Sequence, residues 1–353
     1  MKLFEIRNYL SKIELKRVFS YLQKNSKIDS DCLSKEEKKQ SKEYWKQFGV
    51  TLNKNDYSYI SSYKFFCGGY LPSFFPNYFL YTYIKTFLNN QSYANAIDNK
   101  ALYLGLLPDL IHPATLLFRI DGGLLLDKAY NEISFEEFVG SLDKTKKYIF
   151  KPGKDTCGSK GIIVFNRNNI DIIKAALSQY SDFVVQEVIV SNKAFALFGS
   201  KALPTIRIYS LYYGEKPQIL AACLRIESSD SEHITLGGEV YIPINEDGTL
   251  RSRGFNNNTP NISDFDQING LSFAGFEIPL FSKICAQVLK SHLRFKSIRY
   301  IAWDFAITHD EEPVFIEFNL AQSGPGILQV AAYPNKPFGN YTEEIFLKSF
   351  KIK

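Results

Sequence analysis

Two short apolar runs near the C-terminal end carry acids where a purely structural strand would not need them. Tyr300-Ile-Ala-Trp-Asp304-Phe-Ala-Ile-Thr308 and Pro313-Val-Phe-Ile-Glu317-Phe-Asn319 are separated by His309 to Glu312, a pattern that reads as a β-hairpin. Period-two alternation puts Ala302, Asp304 and Ala306 on one face of the first strand, with Ile301, Trp303, Phe305 and Ile307 on the other. On the second strand Glu317 and Asn319 share a face, opposite Ile316 and Phe318. Centring the turn between Asp310 and Glu311 sets Asp304 directly across from Glu317 and Ala302 across from Asn319. Like charges so placed destabilise a bare sheet. A divalent cation removes that cost, and oxygen ligands from Asp, Glu and Asn suit Mg²⁺, which fills its remaining positions with water and substrate phosphates. The competing reading is an edge hairpin with a polar outer face.

A glycine loop offers the phosphate contacts. Gly153-Lys-Asp-Thr-Cys-Gly158-Ser159-Lys160 nearly matches the P-loop pattern, but its last two positions are swapped. The β-branched run Ile162 to Phe165 follows, instead of the helix whose N-terminus a P-loop points at its anion. A strand, a glycine loop and a returning strand closing over a triphosphate fit better. Lys151 then stands at the strand end as a phosphate cation, and Gly158 and Gly161 let backbone N–H groups approach the anion. A surface hairpin with an incidental lysine is the plainer alternative.

Arginines lie inside two further strand patterns. Thr205, Arg207 and Tyr209 alternate onto one face of Leu203 to Tyr209, and Arg225 ends Ile219 to Leu224. An Arg there needs an anionic partner, a phosphate, a carboxylate or an internal salt bridge, because leaving it buried and unpaired is costly. Val184 to Val188 is an apolar strand whose end, Gln186-Glu187-Val188, could stack and hydrogen-bond an adenine; taken alone it is a core strand.

The elements that must position these residues are short and mixed. Strands are expected at Tyr148–Lys151, Gly161–Phe165, Phe183–Glu187, Thr205–Tyr213, Ile219–Ile226, Tyr300–Thr308 and Pro313–Asn319. Helices are expected near Ser134–Leu142, Asn169–Tyr180 and Pro279–Leu293, so the class is α+β. Ser34 with Glu37 forms a capping box opening a polar helix that ends near Gly49. Residues 3–22 look helical with apolar residues on two sides, and Phe65 to Leu88 reads as buried loops and a short helix because Gly68-Gly69, Pro72 and Pro76 break it.

Composition excludes several classes. The 353 residues are 45% hydrophobic and 22% charged, as in folded globular chains. Residues 1–54 hold 13 Lys/Arg against 7 Asp/Glu, whereas the remainder holds 29 against 30. A nucleic-acid grip along the chain is therefore not expected. Five scattered cysteines without a CxxC pair argue against a disulfide framework and for a reducing, cytoplasmic compartment. The basic residues 1–30 either dock on the core or lie on the inner face of a membrane.

Taken in order, these residues resemble the ATP-grasp superfamily from about Asn95 to Phe350. Lys100 in Ile97-Asp-Asn-Lys100 and Lys151 match its two ATP-contacting lysines, and the segment Gly158, Ser159, Lys160, Gly161 its flexible phosphate loop. Gln186, Glu187 and Val188 match its adenine hinge, and Asp304, Glu317 and Asn319 its magnesium triad. Leu203-Pro-Thr-Ile-Arg207 is similar to a segment of D-alanyl-D-alanine ligases. The nearest likeness is to the sugar-transfer-associated ATP-grasp proteins of bacterial polysaccharide clusters. It is carried by Tyr81-Thr-Tyr-Ile-Lys85, Asp98-Asn-Lys100, Thr205-Ile-Arg207, Gly237-Gly238, Phe276-Glu-Ile-Pro279 and Trp303-Asp-Phe-Ala-Ile307.

The resemblance implies an ATP-grasp fold of two α+β subdomains gripping ATP: a mainly helical region 1–95, a lid subdomain 96–190 and a metal-bearing subdomain 191–353. It also implies ATP and Mg²⁺ as cofactors and an ADP-forming carboxylate–amine ligation through an acylphosphate, with Arg207 or Arg225 holding the carboxylate. The expected acid is a uronic acid or other carboxylate of a glycan or nucleotide-sugar, and the amine an amino acid. A non-catalytic ATP-binding component of a polysaccharide assembly complex and a phosphotransferase are the rival readings. Trp303 stands where the superfamily often has Arg, so Arg299 or Arg225 is expected to supply that phosphate contact.

Overall fold

Alternating apolar residues build two antiparallel sheets that face one another across a cleft. The computed structural model describes residues 32–154, 161–235, 238–256, 264–320 and 324–351. The expectations for residues 3–22, for membrane contact through residues 1–30 and for Gly158, Ser159 and Lys160 lie outside them.

The smaller sheet contains β1 (Thr115–Arg119), β2 (Tyr148–Pro152), β3 (Ile163–Phe165) and β4 (Phe183–Glu187), in the order β1-β4-β2-β3. Its inward residues Leu117, Tyr148, Phe150, Phe183 and Val185 pack with Phe138 and Ile173 from flanking helical turns. The larger sheet contains β5 (Thr205–Tyr212), β6 (Pro217–Glu227), β7 (Glu239–Ile244), β8 (Gly254–Phe255) and β9 (Asp264–Phe265). After a small hairpin of β10 (Gln267–Ile268) and β11 (Leu271–Ser272), it is completed by β12 (Tyr300–Ile307) and β13 (Pro313–Asn319), in the order β13-β12-β5-β6-β7-β8-β9.

Both faces of the larger sheet are covered, and this decides where polar residues can go. One face buries Ile206, Ile208, Leu224, Ile242, Trp303 and Phe305 together with Ile284 and Val288 of helix Phe281–His292. The other buries Tyr209, Cys223 and Ala302 with Leu328 and Ala331 of helix Pro325–Ala332. The N-terminal helices Lys35–Lys46 and Lys54–Cys67 and the C-terminal helix Thr342–Lys351 join this second layer, in which Trp45 packs among Phe79, Phe346 and Phe350. Ser34 closes the expected capping box, accepting from the Glu37 N–H at 3.1 Å.

The expected strands all form, and the hairpin register is informative. Ala302 pairs with Asn319 and Asp304 with Glu317, as the turn arithmetic requires. The turn itself, however, centres on Asp310, so Phe305 pairs with Phe315 and Ala306 with Val314. A bulge between the two stretches absorbs the difference, leaving Ile316 as the extra residue. It restores the acid-on-acid register.

Trp303 points away from the cleft. Its indole N–H donates to Ser210 Oγ at 2.7 Å, and Ser210 lies 2.7 Å from His292 Nδ1. His292 Nε2 sits 2.8 Å from the Ile298 carbonyl, which can only accept, so Nε2 carries the proton and Nδ1 accepts from the serine hydroxyl. Burial lowers the His292 pKa to about 4, which keeps the ring neutral. The position before Asp304 thus belongs to the core, on the sheet face opposite the acids.

Candidate active site

The first cation is placed by its neighbour. Asn99 caps the short helical turn Lys100–Leu102, accepting from the Ala101 N–H at 3.1 Å, and donates through Nδ2 to Asp182 Oδ1 at 2.7 Å. The Lys100 N–H donates to the Gly153 carbonyl at 2.9 Å, and the Gly153 N–H donates to the Asp182 carbonyl at 2.7 Å. These bonds tie Lys100 to the end of β2, two residues beyond Lys151. A Cβ at Gly153 would lie 2.4 Å from Asn99 Oδ1 and 2.7 Å from Asp182 Cβ, so only glycine permits the junction.

From there Lys100 reaches across to the larger sheet and pairs with Glu317, Nζ to Oε2 at 2.9 Å. Burial pushes the Lys100 pKa down, but the charge and hydrogen bond of Glu317 outweigh it and hold the ammonium above its ordinary value. Burial likewise pushes Glu317 up, and Lys100 overcomes it, bringing the carboxyl down to about 2. Its partner across the register is taken by an arginine from β5: Arg207 donates to Asp304 from Nε to Oδ1 at 2.8 Å and from Nη2 to Oδ2 at 2.6 Å. Asn319 Nδ2 donates to Asp304 Oδ2 at 3.3 Å. Arg225 forks onto one oxygen of Glu239, at 2.9 and 2.6 Å.

Lys151 is placed differently. Its ammonium is largely enclosed and donates to the neutral amide oxygen Gln186 Oε1 at 3.1 Å; among the described residues no carboxylate lies within ion-pairing distance of it. Burial, with the Lys100 charge beside it, outweighs the more distant Glu317 and brings its pKa down to about 8. A second unsatisfied group lies in the same region: Thr205 Oγ1 is buried and, among the described residues, has no hydrogen-bond partner. Thr205 pairs with Arg225 in the sheet and lies two residues before Arg207, on the same face.

A cavity between the sheets lies against the two lysines. Lys100, Thr115, Lys151, Gln186 and Ile316 line it, with Ala101 and Phe118. It encloses about 10 Å³, room for one water molecule, so the two sheets stand closed on one another. Thr115, Phe118 and Ile316 escaped the sequence reading, because β1 lacks alternation between apolar and polar residues and Ile316 enters only through the bulge.

The structure brings Lys100, Lys151, Gln186, Arg207, Asp304, Glu317 and Asn319 together, with Arg225 near enough for its charge to act on Glu317. It does not bring all the expected residues there. The Glu187 carboxylate accepts from Lys146 at 2.8 and 2.9 Å on the surface, and Val188 is exposed. Gly161 keeps φ at +77° against the Tyr180 hydroxyl. Arg299 is no candidate for the contact that Trp303 lacks, since it precedes β12 at the far end of the sheet. Among the described residues no helix is long and apolar enough to cross a membrane.

No curated protein matches the chain. Among solved structures, it is similar to an L-amino acid ligase from Bacillus licheniformis (12% identity, 72% of this chain and 48% of that one, TM-score 0.41). It is similar also to N5-carboxyaminoimidazole synthetase from Staphylococcus aureus complexed with ADP (10%, 72% and 52%, TM-score 0.44) and to D-alanine–D-alanine ligase from Bacillus anthracis (12%, 72% and 67%, TM-score 0.41). The chain spans about half the length of the first two. Residues 80–335, most of the chain, match the family described as sugar-transfer associated ATP-grasp. They include every cavity-lining and acid-pairing residue named above, and the chain belongs to that family.

Proposed function

We propose that this chain is an ATP-dependent, ADP-forming carboxylate–amine ligase, joining a uronic acid or other carboxylate of a glycan or nucleotide-sugar to an amino acid or other amine. The observation that carries the nucleotide reading is Lys151. An enclosed ammonium whose partner among the described residues is an amide oxygen is unfavourable unless an anion completes it. The buried hydroxyl of Thr205, which has no hydrogen-bond partner among the described residues, adds to that demand, and a polyphosphate has the chemistry to meet both.

In this reading Lys100 and Lys151 hold phosphate oxygens, with backbone N–H groups of Gly158, Ser159, Lys160 and Gly161 closing over them. Gln186 borders the base. Asp304, Glu317 and Asn319 hold Mg²⁺, and Glu317, lowered by Lys100, is already ionised for it. Each arginine fork uses two of five N–H donors, so Arg207 and Arg225 keep donors for the substrate carboxylate. ATP with Mg²⁺ supplies the phosphoryl group that turns a carboxylate into an acylphosphate, which an amine captures with loss of phosphate. The side chains contribute charge neutralisation and positioning, and none needs to act as a general base. The closed cleft requires the smaller sheet to swing away before a nucleotide enters.

Calorimetric titration of the full chain with ADP, with and without Mg²⁺, tests the site. Binding is expected to strengthen at least tenfold with Mg²⁺ in the wild type and to lose that dependence in Glu317→Gln. Equal Mg²⁺ dependence in the variant would sink the metal assignment. For the reaction, mass spectrometry after incubation with ATP, pooled nucleotide-sugars and amino acids should show an amide product with one phosphate released per bond; ATP binding without any such product would remove the ligase reading.

A further inference from the structure

A second cleft lies at the opposite end of β5, formed by the end of that strand, the segment entering β12 and the C-terminal helix. Tyr212, Tyr213, Lys296, Arg299, Tyr341 and Lys348 line it, with Gly214 and Glu344 at its edge. Tyr212 is five residues from Arg207 along an extended strand, roughly 17 Å at the usual rise. The cleft measures about 450 Å³, within the range of small-molecule sites.

Its charge is one-sided. Three cations face one acid, and that acid is engaged: Glu344 Oε1 accepts from Lys348 Nζ at 2.6 Å and from the Tyr213 hydroxyl at 3.0 Å. Lys296 and Arg299 remain uncompensated, and among the described residues neither charged end has a hydrogen-bonding or ion-pairing partner. Past residue 54 the chain holds nearly equal numbers of acids and bases, so this is a local concentration of positive charge.

Arg299 is also held in place. Its guanidinium lies 5.6 Å from the Tyr213 ring centroid and 5.8 Å from that of Phe87, and its carbonyl accepts from the Tyr212 N–H at 2.7 Å. Cation–π contacts with two rings hold the guanidinium at the cleft, and a guanidinium's planar fork of donors suits bidentate capture of a phosphate or carboxylate. The tyrosines supply ring faces and hydroxyls beside it. Gly214, at φ +95°, admits the Tyr341 side chain: a Cβ there would lie 2.5 Å from its hydroxyl oxygen.

We infer that this cleft is a second binding site, separate from the nucleotide cleft, for an anionic sugar: a pyranose-sized ring seated among the tyrosines, its phosphate or carboxylate held by Arg299 and Lys296. The inference does not depend on the chemistry of the nucleotide cleft.

The test is calorimetric titration of the full chain with glucose 1-phosphate, with glucuronate and with glucose. Wild type should bind at least one of the two anions saturably, and bind glucose at least tenfold more weakly. Lys296→Glu, at an exposed position, should weaken that anion at least tenfold, as should Arg299→Gln. Affinity for Mg·ADP should stay within twofold of wild type in both. If Arg299→Gln does not fold, Lys296→Glu decides alone. No saturable binding of either anion to wild type, glucose binding as tightly as the anions, or anion binding unchanged in Lys296→Glu would overturn the inference. The two anions distinguish a phosphate from a carboxylate ligand. A loss of Mg·ADP affinity in Lys296→Glu matching the loss of the sugar anion would also overturn it, since the sites would then not be separate.

Discussion

Arg207 on β5 and Asp304 on β12 stand opposite one another in adjacent strands, and the arginine closes on the carboxylate through two hydrogen bonds of 2.8 and 2.6 Å. Both side chains are almost fully buried. The pair holds the acid's charge in place before any metal arrives, so Asp304 serves the fold as well as the site.

Amidating Asp304 should therefore destabilise the protein, which it would not do to a carboxylate that only held a metal. Removing one partner of a buried ion pair costs about 3–5 kcal/mol. Asp304→Asn and Arg207→Met should each lower the denaturation midpoint clearly. The double variant should fall well short of the combined losses, because neither residue then leaves a lone charge. Urea unfolding of the three variants measures the coupling; additive losses would contradict it.

Lys151 should take up a proton when a polyphosphate binds. Its pKa of about 8 in the free protein reflects burial without an anion, and a phosphate beside it favours the charged form. Near pH 8, calorimetry of ADP binding in buffers of different ionisation enthalpy should show net proton uptake, lost in Lys151→Met. Binding should weaken as pH rises above about 8. Proton release, or no exchange, would place the phosphates elsewhere.

Acid should destabilise the fold in two successive windows. His292 is lowered from 6.5 to about 4 by burial, so between these values the unfolded chain binds the extra proton and stability falls as pH falls. That difference corresponds to about 3 kcal/mol as an upper bound. Glu317, lowered from 4.5 to about 2 because Lys100 outweighs its burial, adds a loss of the same sign at lower pH. His292→Phe should flatten the unfolding free energy between pH 6.5 and 4, and Glu317→Gln should flatten it below 4.5. Unchanged slopes would assign the acid sensitivity to other groups.

Gly153→Ala should separate Lys100 from Lys151. The added methyl would collide with Asn99 Oδ1 and Asp182 Cβ, pushing apart the segments that carry the two lysines. Overpacking of this kind costs about 1–3 kcal/mol. ADP affinity should fall along with stability, whereas Gly49→Ala, where a Cβ meets nothing, should leave ADP affinity unchanged. Wild-type ADP affinity in Gly153→Ala would show that the junction does not position the cations.

The sequence by itself determined the strands that carry the acids and their register. Two-residue alternation and a short turn are local properties, and the facing of Asp304 and Glu317 survived the shift of the turn because a bulge compensated it. Elements without a periodic contrast were not legible. Every residue of helix Pro325–Ala332 is buried, so no polar face marks it. β7 carries Pro243, which reads against a strand flanked on both sides. Nor could the alternation on β5 say that Arg207, 97 positions before Asp304, would neutralise it, because strand order is not a local property. Only the tertiary structure decided that the opposed acids are held by Arg207 and Lys100, while among the described residues Lys151 has no carboxylate partner. Ion pairing depends on which groups the chain brings within a few ångströms, and sequence spacing does not encode that distance.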